Sequence, residues 1–457
     1  MSNPSGPDLS YRLDERSMST ASAHNKSMTS LAPIVVMLFF AWGFATSIVD
    51  AVIPKLKEQF SLNYTEAMLV QFAFFLAYFV VSVPAGALLA RLGYLRGIVA
   101  GLVIMTLGCL LFVPASSMGL FAAFLLALFV MAGGITVLQV AANPLMSLLG
   151  RPETASSRLN LAQAFNSLGT TLGPILGSVF ILSKAADGDA SARGVHVPFL
   201  MIAALLVVLS LLFWFLRGRE GAATDQQSGS ALSLRVLRHS QLALGVVSIF
   251  VYVGAEVSIG SAMVNYLILD RTRDAASELG TWYAGLIHLH DVLNTPESKA
   301  AVLVSLYWGG AMVGRFIGSV VLRFARPGIV LMACSLAAAL LVSLSMASSG
   351  TLAMATILSV GLCNSIMFPT IFTIAIDGLE EETPQGAGML CLAIFGGAVV
   401  PMITGKVADL TSLVLAFIVP VACYLMIAGY GLLTGLHLLS GKPAAKTGGA
   451  PRAVSMH

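Results

Sequence analysis

Long apolar runs separated by short polar connections dominate the pattern along the chain. A helix needs about 20 mainly apolar residues to cross a bilayer, and on that criterion the pattern predicts twelve membrane spans. They lie near residues 31–57, 66–90, 95–115, 117–148, 157–183, 197–216, 241–269, 299–323, 328–347, 351–376, 384–408 and 412–438. The fourth and fifth runs are the weakest, because Asn143, Gln163 and Asn166 interrupt their apolar surface.

A polar stretch at the middle of the chain divides the spans six and six, and the two halves repeat. Gly86 stands five residues before Arg91, and Gly318 stands five residues before Arg323, at the equivalent place in each half. We therefore predict an all-α polytopic membrane protein built from two pseudo-symmetric six-helix bundles, with substrate bound between them. The predicted divisions are a tail at 1–30, bundles at 31–216 and 241–440, a linker at 217–240 and a tail at 441–457.

Composition agrees with a membrane location. Apolar residues make up 57% of the 457 positions and charged residues only 10%, whereas a soluble domain carries about 25% charged residues. This excludes a soluble enzyme, a nucleic-acid-binding protein and a disordered scaffold. Of the 25 Lys and Arg residues, sixteen fall on one predicted side and eight on the other, with Arg315 inside a span. The positive-inside rule then predicts that both termini are cytoplasmic, and we expect a monomer in a bacterial inner membrane.

The sequence predicts no metal or cofactor. All five cysteines lie in apolar runs without a CxxC pair, and they are interpreted as small packing residues. His288, His290 and Asp291 have loose metal-ligand spacing in an outer loop, where a short surface helix explains them more simply.

Asp50 is an ionisable group inside the first span, where a charge costs about 2.5–3.5 kcal/mol at the bilayer centre. Thr46 and Ser47 precede it by one turn, and Pro54 follows by one turn. Three roles are open: a protonation site for coupling, a structural partner for an Arg, or an interfacial acid. Its depth favours coupling, because a carboxyl group in a low-dielectric environment holds a proton more readily.

Polar groups are concentrated in the fourth, fifth and seventh spans, and most of them are neutral. Amides both donate and accept hydrogen bonds, as sugar hydroxyls do, and aromatic rings such as Trp42 stack on the C–H face of a polyol. The alternative interpretation is polar contact between helices. Candidate substrate-binding residues, some paired at helical spacing, are Ser47, Gln139, Asn143, Gln163, Asn166, Tyr252, Glu256 and Asn364.

Three charged residues near the cytoplasmic ends of spans favour gating or structural ion pairs over ligand contact. Arg158 opens the fifth span, and Arg315 lies about two turns from the inner end of the eighth span. Asp377, at the inner end of the tenth span, is a candidate partner for either.

Several strings make the chain resemble a known family. They are Phe39-Phe-Ala-Trp42-Gly43 with Asp50, Gln139-Val-Ala-Ala-Asn143-Pro144, the run Ser157 to Gly169, Tyr252-Val-Gly-Ala-Glu256, and Asn364-Ser-Ile-Met-Phe-Pro369. Over roughly residues 30–440 the chain resembles the fucose–galactose–glucose:proton symporter branch of the major facilitator superfamily.

The resemblance implies proton-coupled sugar import by alternating access, with Asp50 at the protonation position and Gln163 and Asn166 at amides of the sugar site. Two positions depart from the fucose permeases. This chain has Gln139 where they carry a second membrane acid, and Glu256 where they carry Gln. Both differences resemble the glucose/galactose group, and they leave open whether Glu256 takes the second coupling role.

We therefore expect a neutral hexose of the glucose/galactose type, imported with a proton. Fucose or N-acetylglucosamine as substrate, sodium as the coupling ion, and a multidrug exporter are the alternatives. An exporter of cationic drugs needs acids facing a wide apolar cavity, whereas this centre is rich in amides. A sugar sensor needs a large cytoplasmic domain, and an enzyme needs a nucleophile–base or metal cluster; the sequence shows neither.

Overall fold

The computed structural model describes residues 31–59, 64–118, 120–185, 193–217, 234–286, 295–436 and 438. Within its helices, residues 48–59, 64–69, 71, 116, 117, 173–185, 193–198 and 284 are described by their backbone alone. The regular elements of this described part are all helical.

Long helices follow one another through the chain, and we number them as spans in chain order. The first six are Ala32–Gln59, Tyr64–Leu92, Tyr94–Met118, Phe121–Leu148, Ala155–Ala185 and Arg193–Leu216. The seventh, eighth and ninth are Ser240–Leu267, Pro296–Phe324 and Pro327–Ala347. The last three are Gly350–Ile376, Glu380–Leu410 and Leu413–Gly435, each made of shorter consecutive helices.

The predicted membrane fold is confirmed. Within the described residues, 10 helical segments are long and apolar enough to cross a membrane. The first and fifth spans are helices of 28 and 31 residues outside that set, and they bring the segments to the predicted twelve. Large apolar side chains such as Phe215, Phe324 and Leu340 are exposed on the outside of the bundle. In water such a surface would aggregate, whereas lipid tails cover it without cost.

Close helix approach within the N-terminal half depends on glycines. The first span packs along the fifth, and a Cβ atom at Gly43 or Gly169 would enter backbone atoms of the neighbouring helix. Small residues let membrane helices approach closely enough for extensive van der Waals contact. The third span packs in the same way on the fourth, where a Cβ atom at Gly108 would meet the backbone of Met131.

Two equivalent contacts join the halves. The second span packs against the eleventh, and the eighth packs against the fifth. A Cβ atom at Gly86 would lie 2.8 Å from the carbonyl oxygen of Pro384, and one at Gly318 would lie 2.8 Å from Nδ2 of Asn160. The two glycines that mark the sequence repeat therefore both lie where one half meets the other.

These contacts gather at the end of the bundle that the sequence predicts to be cytoplasmic. There the Ser156 and Thr373 hydroxyl oxygens are 2.6 Å apart, and the Ser157 hydroxyl donates to the Ser319 carbonyl oxygen. Asn160 Nδ2 donates to the Arg315 carbonyl oxygen at 2.7 Å. The fifth span thus carries a row of polar links to the eighth and tenth spans.

An additional helix, Arg273–Leu286, connects the seventh and eighth spans and packs on the eighth. The eighth span then begins at a capping box, in which Thr295 and Ser298 satisfy each other's backbone N–H groups. His288, His290 and Asp291 lie outside the described residues, as do the tail 1–30 and most of the predicted linker. The division into two bundles with a cytoplasmic linker stays a prediction.

Candidate substrate cavity

A cavity of about 220 Å³ lies between the two halves. It is smaller than the ~300–1,000 Å³ of pockets that hold drug-sized ligands, so it suits a small molecule. Its N-half wall is formed by Trp42, Gly43, Thr46, Tyr78, Gln139, Gln163, Asn166 and Thr170. Its C-half wall is formed by Tyr252, Val253, Glu256, Arg315, Phe368 and Ile394.

The polar groups of the N-half wall are uncharged, and hydrogen bonds hold them in place. Gln139 Nε2 donates to the hydroxyl oxygen of Tyr78 at 2.6 Å. Gln163 Nε2 approaches Asn143 Oδ1 at 3.5 Å, and Asn166 Nδ2 donates to the Phe39 carbonyl oxygen at 3.0 Å. Each amide is thus oriented by a neighbour while its side chain faces the cavity.

Asn166 reaches the first span because Gly43 leaves room for it. A Cβ atom at Gly43 would lie 2.6 Å from Asn166 Nδ2 and would also collide with the Asn166 backbone carbonyl oxygen. The same glycine lines the cavity. The packing of the first span on the fifth therefore sets the position of one candidate sugar-binding amide.

The C-half wall differs because it carries charge. The Oε1 atom of Glu256 is buried and has no hydrogen-bond partner among the described residues. Arg315 lines the same cavity, and the two side chains form no ion pair within 4.0 Å. A buried carboxylate oxygen without a partner is costly, so Glu256 is suited to accept a hydrogen bond from a ligand or to carry a proton.

Asn364 stands behind this wall rather than in it. The Tyr252 hydroxyl donates to the Asn364 carbonyl oxygen at 3.1 Å, and Asn364 Nδ2 donates to the Tyr307 hydroxyl at 2.8 Å. The Tyr307 hydroxyl in turn lies 3.4 Å from the Glu256 carbonyl oxygen. This series of hydrogen bonds links the tenth, eighth and seventh spans and fixes the helix turn that carries Glu256.

Arg315 crosses from one half to the other. One of its Nη atoms donates to the Ser167 hydroxyl in the fifth span, and its Nε lies 3.3 Å from the Ser365 carbonyl oxygen in the tenth. Its own carbonyl oxygen accepts from Asn160. Arg315 therefore belongs both to the cavity wall and to the links between the halves.

Arg158 lies away from the cavity, at the junction of the fourth and fifth spans. Its guanidinium donates to the Met146 carbonyl oxygen at 3.3 Å and to the Ser147 carbonyl oxygen at 2.6 Å. The last carbonyl groups of a helix have no partner within the helix, and a cation there is stabilising. Arg158 thus supplies hydrogen bonds to two carbonyl groups at the end of the fourth span. Asp377 is exposed at the end of the tenth span and forms no ion pair with a described residue.

The predicted substrate-binding residues fall into two groups. Those that line the cavity are Gln139, Gln163, Asn166, Tyr252 and Glu256. Those that do not line it are Ser47, whose hydroxyl bonds the Phe44 carbonyl oxygen, and Asn143 and Asn364, which support lining residues from behind. The side chain of Asp50 lies outside the described part of the structure, so its predicted role stays a prediction.

Some lining residues were not predicted. Thr170 follows Asn166 by four residues, a spacing that places both on one helix face and could have indicated it. Tyr78 and Ser82 are the two hydroxyl-bearing residues in the apolar run 66–90 of the second span, and nothing in the sequence indicates that Tyr78 lines the cavity whereas Ser82 does not.

The chain matches a known protein family over most of its length. The model of the Major Facilitator Superfamily matches residues 35–401. The chain belongs to the major facilitator superfamily. Its relatives include a protein named glucose/galactose transporter from Brucella abortus biovar 1 (strain 9-941), 49% identical over 89% of this chain and 93% of that one. The L-fucose-proton symporter of Escherichia coli (strain K12) is 30% identical over 93% of this chain and 97% of that one.

Solved structures of the superfamily share the fold. The crystal structure of the transporter FucP in the outward conformation matches with a TM-score of 0.76 and 27% identity. The match covers 91% of this chain and all of that one. This major facilitator protein is therefore a membrane transporter and not an enzyme, as the sequence predicted.

Proposed function

We propose that this major facilitator protein imports a neutral hexose of the glucose/galactose type together with a proton, by alternating access. The observation that carries the proposal is the cavity between the halves. Among the described lining residues, the N-half wall presents uncharged amides and hydroxyls, and the C-half wall presents one carboxyl group, Glu256, together with the guanidinium of Arg315. We place the protein as a monomer in the inner membrane of a bacterium, with both termini in the cytoplasm.

The lining chemistry favours a polyol over other small molecules. Gln139, Gln163 and Asn166 offer donors and acceptors at once, and each hydroxyl of a sugar needs both. Trp42 and Tyr252 supply ring faces for the C–H surface of a pyranose. The unpartnered Glu256 oxygen adds a strong acceptor for one hydroxyl, because hydrogen bonds to charged groups are about twice as strong as neutral ones.

The named relatives support the same substrate class. The Brucella abortus protein at 49% identity is called a glucose/galactose transporter, and so is a Helicobacter pylori (strain ATCC 700392 / 26695) protein, as putative, at 38%. The relative called an L-fucose-proton symporter supports proton coupling. L-Fucose is the second candidate substrate on the same ground.

Coupling is assigned to Asp50, with Glu256 as the second ionisable group. Asp50 follows Thr46 by four residues in the first span, and Thr46 lines the cavity. A proton on Asp50 removes a charge from the membrane interior and so lowers the barrier to rocking the halves together once sugar is bound. At 100 mV one proton supplies about 2.3 kcal/mol, which supports about fifty-fold sugar accumulation.

A substrate panel in proteoliposomes tests the proposal. Glucose, galactose, fucose and N-acetylglucosamine are offered as labelled sugars, with a cationic dye as the probe for drug transport. We expect saturable uptake of glucose or galactose, with competition between the two. Uptake of the dye without any sugar would overturn the assignment, and preference for fucose would move the protein to the second candidate.

A further inference from the structure

Tyr78 is the residue through which the second span reaches the cavity. Among the described residues of that span, no other lines it. The side chain is buried, and its ring packs against Phe74 with the centroids 5.6 Å apart. The Tyr78 hydroxyl therefore lies at the cavity wall, next to Gln139 of the fourth span, on a ring that packing holds in place.

Among the described residues, the Tyr78 hydroxyl accepts one hydrogen bond and donates none. A phenol has one hydrogen to donate and oxygen lone pairs that accept. The Tyr78 oxygen accepts the N–H of Gln139 at 2.6 Å, while no described residue accepts the Tyr78 hydrogen. A buried hydroxyl normally donates as well as accepts. This hydrogen, which has no acceptor among the described residues, lies at a cavity wall, where a ligand oxygen can receive it.

The same bond orients Gln139. The Nε2 atom of Gln139 is directed to Tyr78, and its Oε1 atom has no partner among the described residues. Because the Gln139 side chain lines the cavity, this oxygen is available to a ligand. One donor from Tyr78 and one acceptor from Gln139 thus stand side by side. A hydroxyl group, or two on adjacent carbons, matches this pair because each hydroxyl both donates and accepts.

We propose that Tyr78 is a specificity-determining contact of the transported hexose, donating its hydroxyl hydrogen to one sugar hydroxyl that Gln139 also recognises. The inference rests on the proposed function, since it assigns a contact within the same site. A site built to bond a hydroxyl discriminates against the analogue that lacks it, because its own polar groups are then left unpaired.

The test pairs Tyr78→Phe with a series of monodeoxy analogues of the transported hexose. We expect Tyr78→Phe to weaken binding of the parent sugar about five- to tenfold, the effect of one neutral hydrogen bond. For one deoxy analogue the variant and the wild type should bind equally, because the partner hydroxyl is already missing. Tyr430→Phe is the matched control: its hydroxyl donates to the Gln241 carbonyl oxygen, outside the cavity lining, and its constants should not change.

Other outcomes overturn the inference. If Tyr78→Phe weakens every analogue by the same factor, Tyr78 merely supports the wall; if it weakens none, the hydroxyl touches no sugar. Gln139→Ala provides a second variant in case Tyr78→Phe does not fold. It should lose discrimination against the same deoxy analogue. Loss of discrimination against an analogue that lacks a different hydroxyl would contradict the shared contact. Failure of the wild type to transport any hexose would instead reject the proposed function, and this contact with it.

Discussion

At the scale of single residues, each half supplies one carboxyl group to which we assign a role in transport. Glu256 has a buried oxygen without a partner at the cavity wall. Asp50 lies in the first span, one helical turn beyond the cavity-lining Thr46. The two acids therefore have separable expected effects, one on coupling and one on sugar binding.

Asp50→Asn should abolish uphill sugar accumulation while exchange of sugar between the two sides continues. Asparagine has nearly the same shape but cannot take up a proton, so the halves can still move with sugar bound but gain nothing from the gradient. Accumulation in proteoliposomes measures uphill transport, and counterflow measures exchange of sugar between the two sides. Asp409→Asn, an exposed acid at the end of the eleventh span, is the control and should behave as wild type. Accumulation by Asp50→Asn at the wild-type level would remove Asp50 from coupling.

Glu256→Gln should lower sugar affinity by about five- to tenfold, since a hydrogen bond to a charged group contributes more than a neutral one. The KM for uptake, or sugar binding in detergent, measures it. Glu278→Gln changes an exposed acid of the connecting helix and should leave the KM unchanged. An unaltered KM in Glu256→Gln would exclude it from the sugar site.

At the scale of elements, the packing of the first span on the fifth positions Asn166. Gly43→Ala should lower both thermal stability and sugar uptake, because the added Cβ atom collides with the Asn166 backbone and amide. Overpacking of this kind costs about 1–3 kcal/mol. Gly405→Ala, in the eleventh span, meets nothing within 4 Å and is the matched control. Melting curves in detergent check the first effect, and a Gly43→Ala protein as stable as Gly405→Ala would contradict the packing argument.

The span positions could be predicted closely because apolar length alone determines them. The ninth span, predicted at 328–347, is Pro327–Ala347, and the fifth, predicted at 157–183, is Ala155–Ala185. The faces of the spans were harder to predict. Gln139 and Asn143 share a helix face by spacing, yet only Gln139 lines the cavity, because Asn143 bonds Gln163 from behind.

Contacts between spans that are distant in sequence could not be predicted either. The Gln139–Tyr78 bond joins residues 61 positions apart, and the link from Arg315 to Ser167 joins residues 148 apart. No periodicity within one helix reports which neighbour it will face. The sequence could therefore identify polar groups inside the membrane but not the partner of each.

At the scale of the whole molecule, alternating access requires the links at the predicted cytoplasmic end to break in every cycle. A Ser156→Cys, Thr373→Cys pair tests this, since the two hydroxyl oxygens are 2.6 Å apart across the halves. Oxidation should form a disulfide and stop transport, and a reducing agent should restore it. Each single cysteine variant is the control. Full transport with the disulfide intact would show that this end does not open.

Coupling to protons, as proposed for this transporter, means that a proton gradient drives hexose uptake through the cavity. Its most direct test is accumulation of the preferred hexose in proteoliposomes under an inward proton gradient without sodium, and under a sodium gradient without a proton gradient. We expect accumulation in the first case, up to about fifty-fold for one proton when the total proton driving force is 100 mV, and collapse of the accumulation when a protonophore is added. Accumulation driven by sodium alone, or no accumulation under either gradient, would contradict it.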